Sequence, residues 1–502
     1  MLTRDGRTTE HGPAIPIAGV RRSVRRWSIR ASVVGCVLTL PFLAAPSPPC
    51  VTIPRAGTVL AGDVKVCPGT YRIADRHETG VVVVTTSDTK LDLSGVTIES
   101  GDSLPADLVG TGILVRGADR VTIAGGRVRG FRWGVRIEGG RGPRITDMAL
   151  SGSRSAKLRS TPLRFDEGDW LDIFHPESTL VYGGALLLMD TDGGTVSRVR
   201  ANGAQNGIAL IRARGALLSD NDVSGNSGWG ISLWNATANT IERNVASHNI
   251  RCEAPTWSRG CDSAALLLRD RSDSNLVTGN DLRWSGDGFF LSGQRGAVRP
   301  SNGNLVLRND ASGSPHNAFE STFSTGNVFV DNRADSSAYG YWLGYSTATL
   351  VRGSTILGSR EAAVAIEHGS DNEVSRNVIV GGKVGVHLFA PQAGDQPSRS
   401  TVVARNTLAG VERGVVLEQS RGINVVGNVF DGVGDAFVGD SAAIDASVTG
   451  NVFLSARGWF IDAPDLNAGG NFWATADARA AQARVHGRVT VLPWRPASDA
   501  GY

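Results

Sequence analysis

The 502-residue chain holds 63 Gly, only 20% charged residues and 41% hydrophobic ones, a balance that favours a long β architecture over a helical one. Its formal net charge is +3, but residues 1–45 carry seven Arg against Asp5 and Glu10, so the remainder sits near about −2 and points away from nucleic acid as a partner. The length excludes one ordinary compact domain but not a solenoid, which grows in one dimension.

Residues 1–45 read as an export signal, with a basic region at Arg21–Arg26, an apolar run from Ala31 to Ala45 and small residues before Pro46. The apolar run is shorter than the roughly 20 residues a membrane span needs, so no span is expected once the signal is removed. The expected destination is secreted or extracytoplasmic, in the periplasm or at the cell surface. Cysteine usage agrees: Cys36 leaves with the signal, and the other four fall into two local pairs, Cys50 with Cys67 and Cys252 with Cys261.

Residues 46–80 are predicted to be an N-terminal cap stapled by the first pair, and residues 81–475 a repeat array. One repeated element is a small residue followed by two inward apolar positions, as in Gly112-Ile-Leu-Val, Gly134-Val-Arg-Ile, Gly207-Ile-Ala-Leu, Gly230-Ile-Ser-Leu, Gly288-Phe-Phe-Leu, Gly340-Tyr-Trp-Leu, Gly385-Val-His-Leu and Gly414-Val-Val-Leu. A second ends each strand in Asn, at Asn244, Asn280, Asn309, Asn332, Asn377, Asn406 and Asn428. Stacked Asn amides can bond along a ladder, so these residues are expected to be structural. Residues 476–502 are predicted as a C-terminal cap and tail, with a short helix over 474–485 and a strand over 489–492 that covers the open sheet edge.

Three short strands per turn of about 22 residues, alternating with period 2 and separated by Gly and Asn turns, specify a parallel β-helix. On these repeats the chain resembles the right-handed parallel β-helix repeat proteins of the pectate-lyase-like superfamily. The resemblance implies an all-β solenoid of about a dozen turns. It does not fix a reaction, because that fold carries lyases, hydrolases, epimerases and non-enzymatic proteins.

Breaks in the period mark the working face. Loops 151–182 and 247–261 enter the Gly-led strand, while 292–303 and 391–400 leave it, so all are expected to wall one groove. With the Gly position set to zero, outward positions carry Trp229, Asp287, Asn317 and Tyr339 at −1, Phe290, Glu320, Trp342 and His387 at +2, and Trp234, Arg269 and Glu367 at +4. One turn and three residues separate Asp287 from Glu320, roughly 11 Å between Cα atoms. Side chains of that length can bring two carboxyls into the roughly 5–9.5 Å range used by glycosidases.

The expected catalytic set is therefore Asp287 and Glu320 as acid and base or nucleophile, with His316, Arg269 and Glu367 beside them. Trp229, Trp234, Tyr339 and Trp342 are expected to stack on sugar rings. Phe290, Trp170, Asp262, Asn317 and His368 complete the binding list. No metal ligand set and no cofactor motif is read from the sequence. The first functional reading is a polysaccharide-cleaving glycoside hydrolase. A lyase or epimerase using Arg269 or His316 is the second, and a non-catalytic glycan-binding or envelope-structural protein the third.

Overall fold

The computed structural model describes residues 49–500 apart from 103, 162, 253–259, 294–297, 393 and 476, so the expected export signal lies outside the described residues. Strand after strand pairs in parallel with its counterpart one turn later, from Thr58–Val59 with Val82–Val83 to Ile461–Asn467 with Val485–Thr490. Nearly all belong to one sheet of 37 strands. The fold is a right-handed parallel β-helix.

Its interior is a continuous column of Val, Ile, Leu and Phe from Ile53 to Val491. In the longest strand stack, Ile208, Ile231, Leu266, Phe289, Phe319, Tyr341, Val364 and Val386 lie directly over one another. β-Branched and aromatic side chains suit such a surface because they pack against their neighbours above and below. The small residue that opens each of these strands is required by close approach of successive turns. A Cβ on Gly207 would lie 2.4 Å from the Gly230 oxygen, and one on Gly230 would lie 2.6 Å from the Ala265 oxygen.

The Asn residues form the expected ladder. The backbone N–H and Nδ2 of Asn244 both donate to Asn280 Oδ1, those of Asn280 to Asn309 Oδ1, and those of Asn309 to Asn332 Oδ1, at 2.9–3.2 Å. Each of these Asn follows a residue held at positive φ, such as Arg243, Gly279, Arg308 and Asp331. A left-handed non-Gly residue costs about 1–2 kcal/mol, which the buried amide bonds offset. A second ladder, Asn239 to Asn275 to Asn304 to Asn327, runs one corner away.

Both expected disulfides are formed, Cys50–Cys67 and Cys252–Cys261. Strands at Thr58–Val59, Asp63–Lys65 and Gly69–Arg72 already make a complete turn, so solenoid pairing begins inside the segment expected to be a cap. At the other end the helix spans Ala478–Gln482, and the strand after it starts at Val485 rather than 489.

The loop at 151–182 departs most from expectation. It lies over the Gly-led stack, as its point of insertion implied, but it fills that face instead of walling it. Leu171 and Ile173 pack on Trp229, Leu267 and Phe290, and Leu180, in the helix Pro176–Tyr182, packs on the cluster that holds Trp133, Trp234 and Val298. The loop is tied down by Leu171 N–H to the Cys261 oxygen and by Arg251 Nε to the Asp169 oxygen. Residues 253–259 of the second expected wall fall outside the described ones.

Candidate functional site

Beyond Phe290 the apolar cover of Leu171 and Ile173 ends, and Tyr339 and Trp342 of the same stack are partly exposed to solvent. The strand Asp287–Ser292 pairs with Asn317–Thr322, and that strand with Tyr339–Gly344, in the register read from the sequence. A cleft of ≈ 440 Å³ opens there, lined by Pro315, His316, Asn317, Glu320, Ala338, Tyr339, Trp342 and Glu361.

At its floor Asp287 and Glu320 come together with His316. One ligand atom from each lies within 4.8 Å of the other two. Asp287 Oδ1 accepts the Asn317 backbone N–H at 2.9 Å and faces His316 Nδ1 at 3.0 Å. The Asn317 amide nitrogen donates to Glu320 Oε2 and lies 3.1 Å from His316 Nδ1, while its Oδ1 is buried without a partner. The Asp287 side chain is 2% exposed and that of His316 23%, so the histidine presents the accessible edge.

This clustering of carboxyls has an electrostatic result. Burial is the main cause that lifts the Glu320 carboxyl to about 8; the Asp287 charge adds to it and His316 opposes it. Asp262, just before the preceding strand, is pushed up to about 7, again by burial first and by Asp287 second. At neutral pH Glu320 therefore holds a proton.

Tyr339 and Trp342 form the aromatic wall, edge to face at 4.8 Å, and Trp342 meets Phe389 in the same way at 5.9 Å. At the rim, Glu361 is paired with Lys383 at 2.8 Å. Glu361, Pro315 and Ala338 also line the cleft and lie outside the expected set; Glu361 stands two positions before the small residue Ala363, where the repeat carries no marker.

Other expected site residues are elsewhere. Arg269 is fully buried under the covering loop, 4.3 and 5.1 Å over the rings of Trp229 and Trp234. It donates to Thr179 Oγ1, its Nε and Nη1 lack partners, and burial pushes it down to about 9. Trp229 and Trp234, expected as an open stacking surface, and Phe290, expected to bind substrate, are 0%, 8% and 6% exposed. The correction has one cause: the loop supplies its own Leu and Ile to cover them. Trp170 is on the outside of that loop, edge-on to Phe165. Farther along the stack, Glu367 is half-buried and shifted up by burial. His368 stacks on Tyr345, with Nδ1 2.6 Å from the Gln396 oxygen. Both stand apart from the cleft. A hollow of similar size, ≈ 430 Å³, is lined by Arg72, Glu99 and Arg129, but there the two guanidiniums already clamp Glu99.

The family described as periplasmic copper-binding protein (NosD) matches residues 86–282 and 262–478, most of the solenoid. The chain belongs to the NosD family. No curated protein matches it. Among solved structures it is similar to PfbA, a surface adhesin of Streptococcus pneumoniae, at 13% identity over 77% of this chain and 84% of that one, with a TM-score of 0.39. A double mutant of the periplasmic alginate epimerase AlgG gives 12% identity over 78% and 84%, with a TM-score of 0.42. The A-module of the mannuronan C-5 epimerase AlgE6 of Azotobacter vinelandii gives 14% over 83% and 92%, with a TM-score of 0.35. None of these likenesses bears on the chemistry of this NosD-family chain. No helix of the described residues is long and apolar enough to cross a membrane.

Proposed function

We propose that this NosD-family protein is an extracytoplasmic enzyme that binds a polysaccharide in the Tyr339/Trp342 cleft and cleaves it by general acid–base catalysis. The observation that carries the reading is the Asp287–His316 contact at 3.0 Å beside the buried Glu320, whose carboxyl burial raises. Asp287 accepts from Nδ1–H, which fixes the tautomer whose Nε2 is basic. Glu320 then serves as the acid that protonates a leaving glycosidic oxygen, and His316 as the base that activates water. Help of this kind contributes about 10²–10⁴-fold each. Asp287 is a positioning residue in this scheme, rather than the base or nucleophile expected from sequence, because its exposed area is too small and its Oδ1 is already engaged twice.

A second reading is favoured by the same His316. A base facing a sugar ring, with a neutral carboxyl opposite, also suits proton abstraction at carbon, the lyase or epimerase alternative. Incubation with a polysaccharide panel in H₂¹⁸O and in D₂O separates the readings. New reducing ends carrying ¹⁸O mark hydrolysis, unsaturated ends mark a lyase, and deuterium at carbon without chain cleavage marks an epimerase. No change in any glycan, together with no binding, overturns the proposal.

The family description raises copper. Soft sulfur ligands select Cu(I), and imidazoles suit Cu(II). Among the described residues the four cysteines are closed in disulfides, Met148 is core, Met189 packs on the Trp133 and Trp234 cluster, and the Asp287 cluster holds one imidazole that is bonded to one of its two carboxylates. These residues do not fit a copper centre, and no step is assigned to one.

A further inference from the structure

The cleft floor is acidic. Asp287 raises the carboxyls of both Asp262 and Glu320, Asp262 adds to the rise of Glu320, and His316 is the one charged group that opposes them. No Arg or Lys is among the residues that line the cleft, and the rim acid Glu361 has Lys383 for itself. An independent feature points the same way. Asn317 is 0% exposed and lines the cleft, yet its Oδ1 accepts no hydrogen bond. A buried acceptor left open in this way costs roughly 1–3 kcal/mol, so a ligand that brings a donor to it is favoured.

A charged donor satisfies both features, and the walls state what kind. Tyr339 and Trp342 offer aromatic faces, which attract an organic cation through the ring quadrupole and also stack on sugar C–H groups. A bare metal ion would use neither the walls nor the ≈ 440 Å³ of space. It would also compete for Asp287 Oδ1, which already faces Asn317 N–H and His316 Nδ1. A uronate would bring a fourth carboxylate into the cluster.

We propose that the cleft receives the protonated primary amine of an amino sugar, a hexosamine unit whose nitrogen is not acylated, with the ammonium seated beside Asn317 and Glu320, the buried amide and carboxyl that line the cleft. The inference rests on the glycan-cleft reading above and names its substrate class. The raised Glu320 carboxyl agrees with it, since a cation seated beside it adds to the counter-charge of His316.

The test is calorimetric titration of the purified chain at low salt with glucosamine tetramer, its N-acetylated counterpart of the same linkage, and a glucose tetramer. The free-amine tetramer is expected to bind at least 10-fold tighter than either of the others. Glu320→Gln and Asn317→Ala, each checked for folding by circular dichroism, should bring the three within about 3-fold. Equal or tighter binding of the N-acetylated or neutral tetramer overturns the amine assignment and leaves the glycan cleft standing. Binding of none of the three overturns both. Stoichiometric binding of Zn²⁺ or Mn²⁺ that blocks the free-amine tetramer overturns it in favour of a metal centre.

Discussion

Replacing Glu320 with Gln is expected to stabilise the fold at alkaline pH while removing turnover. Burial and the Asp287 charge raise the Glu320 carboxyl from 4.5 to about 8. Below about pH 4.5 the group is neutral in both the folded and the unfolded chain. As pH climbs from there to about 8, the unfolded chain gives up a proton that the folded chain keeps, so stability falls; above about 8 the fold bears the full penalty of a buried carboxylate. A gap of roughly 3.5 pH units at about 1.36 kcal/mol each sets that penalty at about 3–5 kcal/mol. Gln keeps an oxygen to accept from Asn317 and never ionises. A chain of this length unfolds with roughly 1 kcal/mol/K of entropy, so the variant should melt about 3–5 °C above the parent at pH 8.5 and level with it at pH 4.5. Scanning calorimetry at the two pH values measures the difference. A Gln variant that melts below the parent at pH 8.5, or with the same offset at both values, refutes the burial argument.

His316→Gln should lower turnover on the responsive polysaccharide by about 10²-fold or more with little change in binding, read from initial rates. Trp342→Ala should weaken glycan binding by about 1–3 kcal/mol if a sugar ring stacks there, by the scale of base–aromatic stacking, measured by titration. Asn280→Ala removes the acceptor of two Asn244 donors and should cost about 2–4 kcal/mol in urea unfolding. Arg269→Met removes a buried cation with two unsatisfied nitrogens and should melt at or above the parent temperature; a loss of several degrees would show that its contacts with Trp229, Trp234 and Thr179 outweigh burial.

The solenoid was legible because its repeats leave few alternatives. At the zero position close approach to the next turn admits only Gly or Ala, as at Gly207, Gly230 and Ala265, and at the ladder position Asn carries both the acceptor and the donors needed to reach its copies above and below. The strand register, and with it the meeting of Asp287, Asn317, Glu320, Tyr339 and Trp342, followed from those two markers. Exposure was not legible. Trp229 and Tyr339 occupy the same −1 position, as Phe290 and Trp342 occupy the same +2 position, and period alone cannot tell which is covered. The signal was inside the loop: Leu171, Ile173 and Leu180 are apolar residues that a free wall would have no reason to carry, and their bulk matches the aromatics beneath them.

The same boundary accounts for the place of the proposed acid. Glu320 pairs in register with Phe290 on one side and with Trp342 on the other. Phe290 belongs to the cluster sealed by Leu171 and Ile173, and Trp342 belongs to the open cleft. One neighbouring turn therefore withholds water from the carboxyl and keeps it protonated near neutral pH, while the other leaves space for a ligand to reach it. One turn earlier the position is sealed; one turn later Trp342 takes it and forms the wall. An acid that must be both desolvated and reachable has its place at the edge of the covering loop, and on this stack that edge falls at Glu320.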